Sequence, residues 1–542
     1  MRKALATFFV AIAAVLQFVA FPTNAGADQW VPNNSFDPNV MGVNIVNTFF
    51  NTGEGASRLV ALSGSVNYAP GSTATMPNET LCSGLTSTGD CNFAAPGVNL
   101  DGIILLPVCS TSSQTNCVAS MSLGTSATSM QPGTFVSMTS GPTIDADPAH
   151  GLPAGSTIGL WTNPVTNAGG TDTYATYAML HVGYDAATNQ YRLYNFSALI
   201  IPYKKVSGTY QAPSENQFTN PSNGRLSVGN NGQASSCAWT GAGECGVLQD
   251  FTAGTYASMG VRLSNQIGGW FQGRMQNPSL SVSSFDSQSN LITVTGQSVD
   301  VPVLNVSVPI SNASAAVKAF YANISGVGVM NVNANYSNAF TAVDAFRDAA
   351  SNSSTAVINI WSFGSYSASG NACLTNTSAI LGVVTTNSMV FSPTVPTFSN
   401  GVLDYQVAGM HYMPDGKTPV GGVYDMVMAD SVARCLYGFS NAPISATISV
   451  SESSGGEQNV ATTSVSDAGG WLHLAAYNFQ FSNPTISAKL TQASASTTTT
   501  TIKKATPVVF KKVISCRWNK PPKSTFKVAA VKPVCPAGST KV

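Results

Sequence analysis

Along most of the chain, β-branched, aromatic and polar residues alternate with a period of two, and the alternation is interrupted repeatedly by Gly, Asn, Asp, Ser and Pro. A period of two puts successive side chains on opposite faces of an extended strand, so the pattern predicts half-buried strands joined by tight turns. Thr173–Val182 and Gln190–Pro202 read as a hairpin around the loop formers Gly183, Asp185 and Asn189. Leu280–Phe285 and Leu291–Thr295 read as a second. Further strands are predicted over Ala356–Ser362, Ala379–Phe391, Val423–Met428, Ile444–Val450, Asn459–Val465 and Leu472–Phe481. Helical spacing is confined to Ala339, Val343, Phe346 and Ala350 behind the cap residue Ser337, and to a stretch over 313–321. The fold class that follows is mostly β: multi-domain antiparallel sandwiches or jelly-roll-like layers with one or two short helices.

The ends of the chain predict export. Arg2 and Lys3 precede an apolar run from Ala4 to about Phe21, and Ala25 and Ala27 bracket a cleavage point, which makes 1–27 a signal peptide. No later apolar stretch is long enough to span a bilayer; the best, Gly102–Val108, is far too short. Ten cysteines fit an oxidising compartment. Nearest-neighbour pairing joins Cys82 to Cys91, Cys109 to Cys117, Cys237 to Cys245, Cys373 to Cys435 and Cys516 to Cys535, although spacing by itself does not fix connectivity. Each short loop closed in this way restricts the unfolded chain by roughly 2.5–3 kcal/mol, and the long one by about 4. The cysteines and histidines lack metal-ligand spacing, so no metal or other cofactor is expected.

A net charge of zero hides a division. Of 24 Lys and Arg, two lie in the leader and ten after residue 500, which leaves twelve in the body against all 24 Asp and Glu, a balance of −12. The ten are Lys503, Lys504, Lys511, Lys512, Arg517, Lys520, Lys523, Lys527, Lys532 and Lys541, with no acid among them, and they form a candidate polyanion-binding set. Thr491–Thr501 is a polar, low-complexity linker that separates this tail from the body. Chain length predicts about three domains in the body, drawn at 28–215, 216–305 as a β domain or extension, and 306–490, before the linker at 491–501 and a basic disulfide-clipped tail at 502–542.

Reactive motifs are missing from this sequence. Gly155–Gly159 has the glycines of a nucleophile elbow but centres on Thr157, and Gly416-Lys417-Thr418 ends a phosphate loop whose first glycine position holds His411. Gly326-Val327-Gly328 lacks a third glycine and reads as a strand with a close backbone approach. The four histidines, His150, His181, His411 and His473, form no H-E-x-x-H pair, and His181 and His473 read as structural residues inside strands. Asp145 with Asp147, and Asp425 with Asp430, read as solvated turn acids in preference to calcium ligands. Gly-Gly-Trp at Trp270 and at Trp471 reads as a core anchor in preference to a sugar platform. No local spacing selects a pair of acids for glycoside hydrolysis.

The tail reads as a hairpin of Pro507–Arg517 and Thr525–Val531 tied by Cys516 and Cys535. Ile514-Ser515-Cys516, the lysine spacing and Val531–Gly538 resemble the tails of uncharacterised secreted proteins of actinobacteria. Ala433–Phe439, Ala442–Ala446 and Gly470-Trp471-Leu472 resemble the module that precedes such tails, so the likeness covers about residues 400–542. It departs after Gly538, where Ser539 replaces an aromatic residue and the lysine-rich finish is reduced. The resemblance implies a cell-surface location and β architecture, and no particular activity. The expectation is a non-enzymatic secreted or cell-surface structural or display protein whose basic tail associates with anionic envelope polymers. The alternative is a secreted carbohydrate-binding module or glycan-active enzyme with a glycan partner. Neither nucleic acid nor a membrane span after leader cleavage is expected.

Overall fold

A computed structural model describes residues 39–46, 55–63, 78–85, 89, 91–92, 98–219, 226–231, 236–322, 328–335, 337–366, 371–376, 379–392, 394–440, 444–451, 462–481, 484–492, 512–520, 523, 525–530 and 534–542. The leader 1–27, most of the 491–501 linker, and Lys503, Lys504, Lys511 and Lys532 lie outside the described residues. The chain divides into two compact units, one up to Ala493 and one from Ser494. It is mostly β, with several antiparallel sheets, and no helix among the described residues is long and apolar enough to cross a membrane.

One long central sheet organises the first unit. Asn78–Cys82, Arg58–Ser63, Val98–Leu105, Thr173–Asp185, Gln190–Ser207, Ala356–Tyr366, Gly269–Arg274, Ile380–Thr386, Gly422–Ala429, Trp471–Phe479 and Thr462–Ala468 pair in that order. Its middle strands are buried on both faces, which is why Ile380–Thr386 reads ILGVVTT without polar alternation. Trp270 and Phe271, neighbours in sequence, enter different cores, as do Met426 and Val427. The Trp270 core is closed by the sheet containing Ile444–Ser451, Val402–Ala408 and Thr485–Gln492, together with the helices Ala315–Ala322 and Ser337–Phe346. The Phe271 core is closed by a five-stranded sheet of Gln276–Ser284, Ser289–Gln297, Tyr256–Ser264, Cys117–Gly124 and Gln131–Pro132. The result is three stacked β layers around two large apolar cores, with Val299, Val301, Ile358 and Ile360 as a small separate cluster.

Strand pairing runs across positions 215 and 305. Val40–Val46 pairs with Val299–Pro309 and with Gly328–Asn333, and Gln190–Ser207 pairs with Ala356–Tyr366. Among the described strands two pairs are parallel, Val40–Val46 with Gly328–Asn333 and Gly269–Arg274 with Ile380–Thr386, where alternation alone suggests antiparallel neighbours. Both expected hairpins form, with strands longer than the sequence pattern: Thr173–Asp185 with Gln190–Ser207, and Gln276–Ser284 with Ser289–Gln297. Ala379–Phe391 is not one strand but two, Ile380–Thr386 and Val390–Phe391, which join different sheets. The helix predicted behind Ser337 spans Ser337–Phe346 and stops short of Ala350, and among the described residues two further short helices occur, Ala372–Thr375 and Asp430–Tyr437. The last is stopped by Gly438 in the left-handed region at φ 64°.

Trp270 shows how a glycine admits a large side chain. A β-carbon on Gly382 would stand 2.6 Å from the Trp270 ring and 2.3 Å from the Val427 carbonyl, so only glycine leaves room for the indole. The indole N–H then donates to the Leu374 carbonyl at 3.1 Å, which removes the penalty of a buried unpaired donor. All five nearest-neighbour cysteine pairs are disulfides. Cys373–Cys435 ties the helix Ala372–Thr375 to Asp430–Tyr437, and Cys109–Cys117 closes the passage from the central sheet to the five-stranded one.

If the two-core arrangement governs stability, Phe271→Ala should be severe. Phe271 is 0 % exposed and packs edge-to-face on Phe363 at 5.6 Å and on Phe196 at 6.4 Å. The expected loss is about 3–5 kcal/mol in urea unfolding with disulfides intact, and a loss below about 1 kcal/mol would count against this packing.

Candidate functional site

The most concentrated polar cluster lies on the five-stranded-sheet side of the central sheet. Asp425 is 0 % exposed on Gly422–Ala429, opposite the small Ala475. His473 and Tyr477 stand two residues to either side of Ala475, so period two puts both on the face where the carboxylate points. His473 Nε2 lies 2.7 Å from Asp425 Oδ1, and the Tyr477 hydroxyl donates to the same oxygen at 2.6 Å. The Asn277 backbone N–H donates to Oδ2 at 3.2 Å. Asn277 holds the left-handed backbone region at φ 51°, and its side-chain amide is 2.8 Å from the Tyr477 hydroxyl. The phenol has one proton and two acceptors in reach, Asp425 Oδ1 at 2.6 Å and Asn277 Oδ1 at 2.8 Å, and the carboxylate is the nearer and the charged one. Burial, and next the Asp425 charge, push the Tyr477 phenol far above its usual range. Asp425 is thus a buried acceptor with three donors and not a solvated turn acid; Asp430 opens the helix Asp430–Tyr437.

A second cluster sits on Arg58–Ser63, Val98–Leu105 and the Thr173/Gln190 hairpin. Tyr194 donates its hydroxyl to Asp101, and the His181 ring lies 5.8 Å from Tyr194. Glu215, with its side chain 2 % exposed, forms an ion pair with Arg58 at 3.7 Å. Burial raises the Glu215 carboxyl against the opposing pull of Arg58. Burial lowers the His181 imidazole, Asp101 opposing and Arg58 adding to the shift. Asp147, one of the other candidate calcium ligands, instead receives His150 Nδ1 at 2.7 Å. Among the described residues, no three His, Cys, Asp or Glu gather as a metal site.

The opposite core holds a buried cation that no sequence motif marks. Arg274, 0 % exposed, donates from Nη1 to the carbonyls of Thr386 at 3.1 Å and Ser388 at 2.6 Å, and its guanidinium lies 4.4 Å from the Phe391 ring centre. Burial lowers its pKa to about 9. Gln272, two residues earlier on the same face, donates to the Tyr405 hydroxyl at 3.0 Å. These contacts pin the chain where it leaves the central sheet for the sheet containing Val402–Ala408. The sequence does carry a sign of such sites: Asp425 and Arg274 are charges within apolar runs, which is costly unless partners are supplied.

The second unit carries the candidate polyanion-binding residues. Lys512–Trp518 is the middle of three strands, between Thr525–Ala530 and Ser539–Lys541, so the expected hairpin gains a third strand. Cys516 is 0 % exposed and bonded to Cys535. Arg517, Lys520, Lys523 and Lys541 are exposed. Lys512 and Lys527 fall on paired strands. Arg517 Nε donates to the Lys523 carbonyl at 3.3 Å, and the Asn519 N–H donates to the Gly538 carbonyl at 3.0 Å, which closes the turn beside Trp518.

Two measurements test the buried acids. Asp425→Ala strands three donors and is expected to lower stability by about 3 kcal/mol, whereas His473→Ala, at a side chain 22 % exposed, should lower it by about 1. A double-mutant cycle with no coupling between the two would reject the pairing. Burial raises the Asp250 carboxyl to about 6, its bond from the Asn359 N–H opposing and Asp300 adding. The folded protein therefore keeps a proton there that the unfolded chain has lost above about pH 4, so stability falls as pH rises from about 4 to 6 and levels off above, by up to about 3 kcal/mol. Asp250→Asn should flatten that slope, and an unchanged slope would assign it to other groups. No family model, no curated protein and no solved structure matches this chain.

Proposed function

We propose that this is an exported, non-enzymatic structural or display protein, whose layered β body is presented outward while its basic terminal unit attaches to an anionic polymer of the cell envelope. The observation that carries the reading is the segregation of charge. Ten Lys and Arg and no acid follow residue 500, in a compact unit of their own from Ser494, while the body has the opposite balance. Five disulfides accord with an oxidising compartment outside the cytoplasm. The likeness of about residues 400–542 to uncharacterised secreted or cell-surface proteins of actinobacteria implies the same compartment. Each basic residue near an anionic surface contributes about 1 kcal/mol at best, so attachment through ten of them is firm at low salt and weak at high salt.

The test is adsorption of the full chain to envelope preparations. Retention at low ionic strength and release near about 1 M salt, where charges are screened beyond about 3 Å, are expected. A variant with Arg517, Lys520, Lys523 and Lys541 replaced by Gln should elute at distinctly lower salt. Retention indifferent to both changes would overturn the reading.

A further inference from the structure

We propose that the basic terminal unit recognises an acidic polysaccharide, with the Trp518 indole as the platform for a sugar ring and the surrounding cations as partners of its acid groups. This rests on the attachment proposed above and narrows the polymer to one chemical class.

Trp518 is unlike the other tryptophans among the described residues. Trp161, Trp239, Trp270 and Trp361 are each less than 5 % exposed and Trp471 is half-buried against a core, whereas Trp518 is 40 % exposed. Its position is held by the sheet: it pairs with Ser539, and its six-membered ring lies beside Gly538, at φ 86°, where an added β-carbon would stand 3.8 Å away. Lys541 is opposite Cys516, two residues before Trp518 on the middle strand, so Lys541 and Trp518 share one face of the sheet. Lys520 follows Trp518 by two residues and is exposed in the turn. An aromatic ring flanked by flexible ammonium groups matches a pyranose chain with carboxylates, because the ring takes the apolar C–H face of the sugar and the lysines take the acids. Bare polyphosphate offers no apolar face to an indole. Single-stranded nucleic acid is gripped by successive stacking rings, and Trp518 is the exposed aromatic among the described residues of this unit.

Binding of the full chain to polygalacturonate, charge-matched polyphosphate, a single-stranded oligonucleotide and phosphatidylglycerol vesicles, all at about 0.1 M salt, separates these classes. Polygalacturonate should bind at least about tenfold more tightly than polyphosphate, a margin that Trp518→Ala removes and Trp518→Phe largely keeps. A variant carrying both Lys520→Gln and Lys541→Gln should weaken binding to both polymers together. Equal or tighter binding of polyphosphate, oligonucleotide or vesicles overturns sugar recognition and leaves electrostatic attachment standing, as does an unchanged margin in Trp518→Ala. Failure of every polyanion to bind removes the attachment itself.

Discussion

The body depends on a sheet that is buried on both sides. A strand such as Ile380–Thr386 has no solvent face, so each of its side chains removes surface from water, and the Trp270 and Phe271 cores are two consequences of one row of paired strands. Such a sheet needs two covers. The five-stranded sheet supplies one, and the Val402/Thr485/Ile444 sheet with the helices Ala315–Ala322 and Ser337–Phe346 supplies the other. Because the covers come from distant stretches of chain, long-range pairing knits residues 40–492 into one unit.

Burying a sheet on both faces makes any charge within it expensive, and this accounts for the form of the polar clusters. Asp425 has its three donors within 3.2 Å, and Arg274 turns Nη1 onto two carbonyls and its face onto Phe391. Both lie where one layer passes to or touches the next: Asp425 gathers Asn277 from the covering sheet, and Arg274 gathers the 386–388 turn. A polar group in this position fixes how the layers register, because sliding them by one residue would strand a charge in an apolar core.

Much of the strand inventory was legible because half-buried strands keep their alternation: Thr173–Asp185 with Gln190–Ser207, and Gly422–Ala429, lie within a few residues of their expected limits. The misplaced strand boundary has a physical cause. Ala379–Phe391 reads as one apolar strand because burial on both faces erases the polar punctuation that marks where it passes between sheets. The parallel pairs leave no local trace, since pairing direction is set by the crossover. The acid in VYDMVMA and its companions at His473 and Tyr477 were visible as residues, but their convergence on one oxygen depends on the opposition of Asp425 and Ala475, a matter of register that single-strand patterns do not carry.

The terminal unit follows the opposite logic. Its three short strands expose Arg517, Trp518 and Lys541, the turn after the middle strand exposes Lys520 and Lys523, and its buried centre is Cys516. A sheet this small has too little apolar area to offset the entropy of ordering its chain, so the Cys516–Cys535 bond, closing a separation of 19 residues, takes over the role that cores play in the body. A unit stabilised in this way can give nearly all of its surface to charge, because little of that surface is needed for burial. That division of labour, cores in the body and a crosslink in the tail, is what permits an acidic body and a wholly basic tail in one polypeptide.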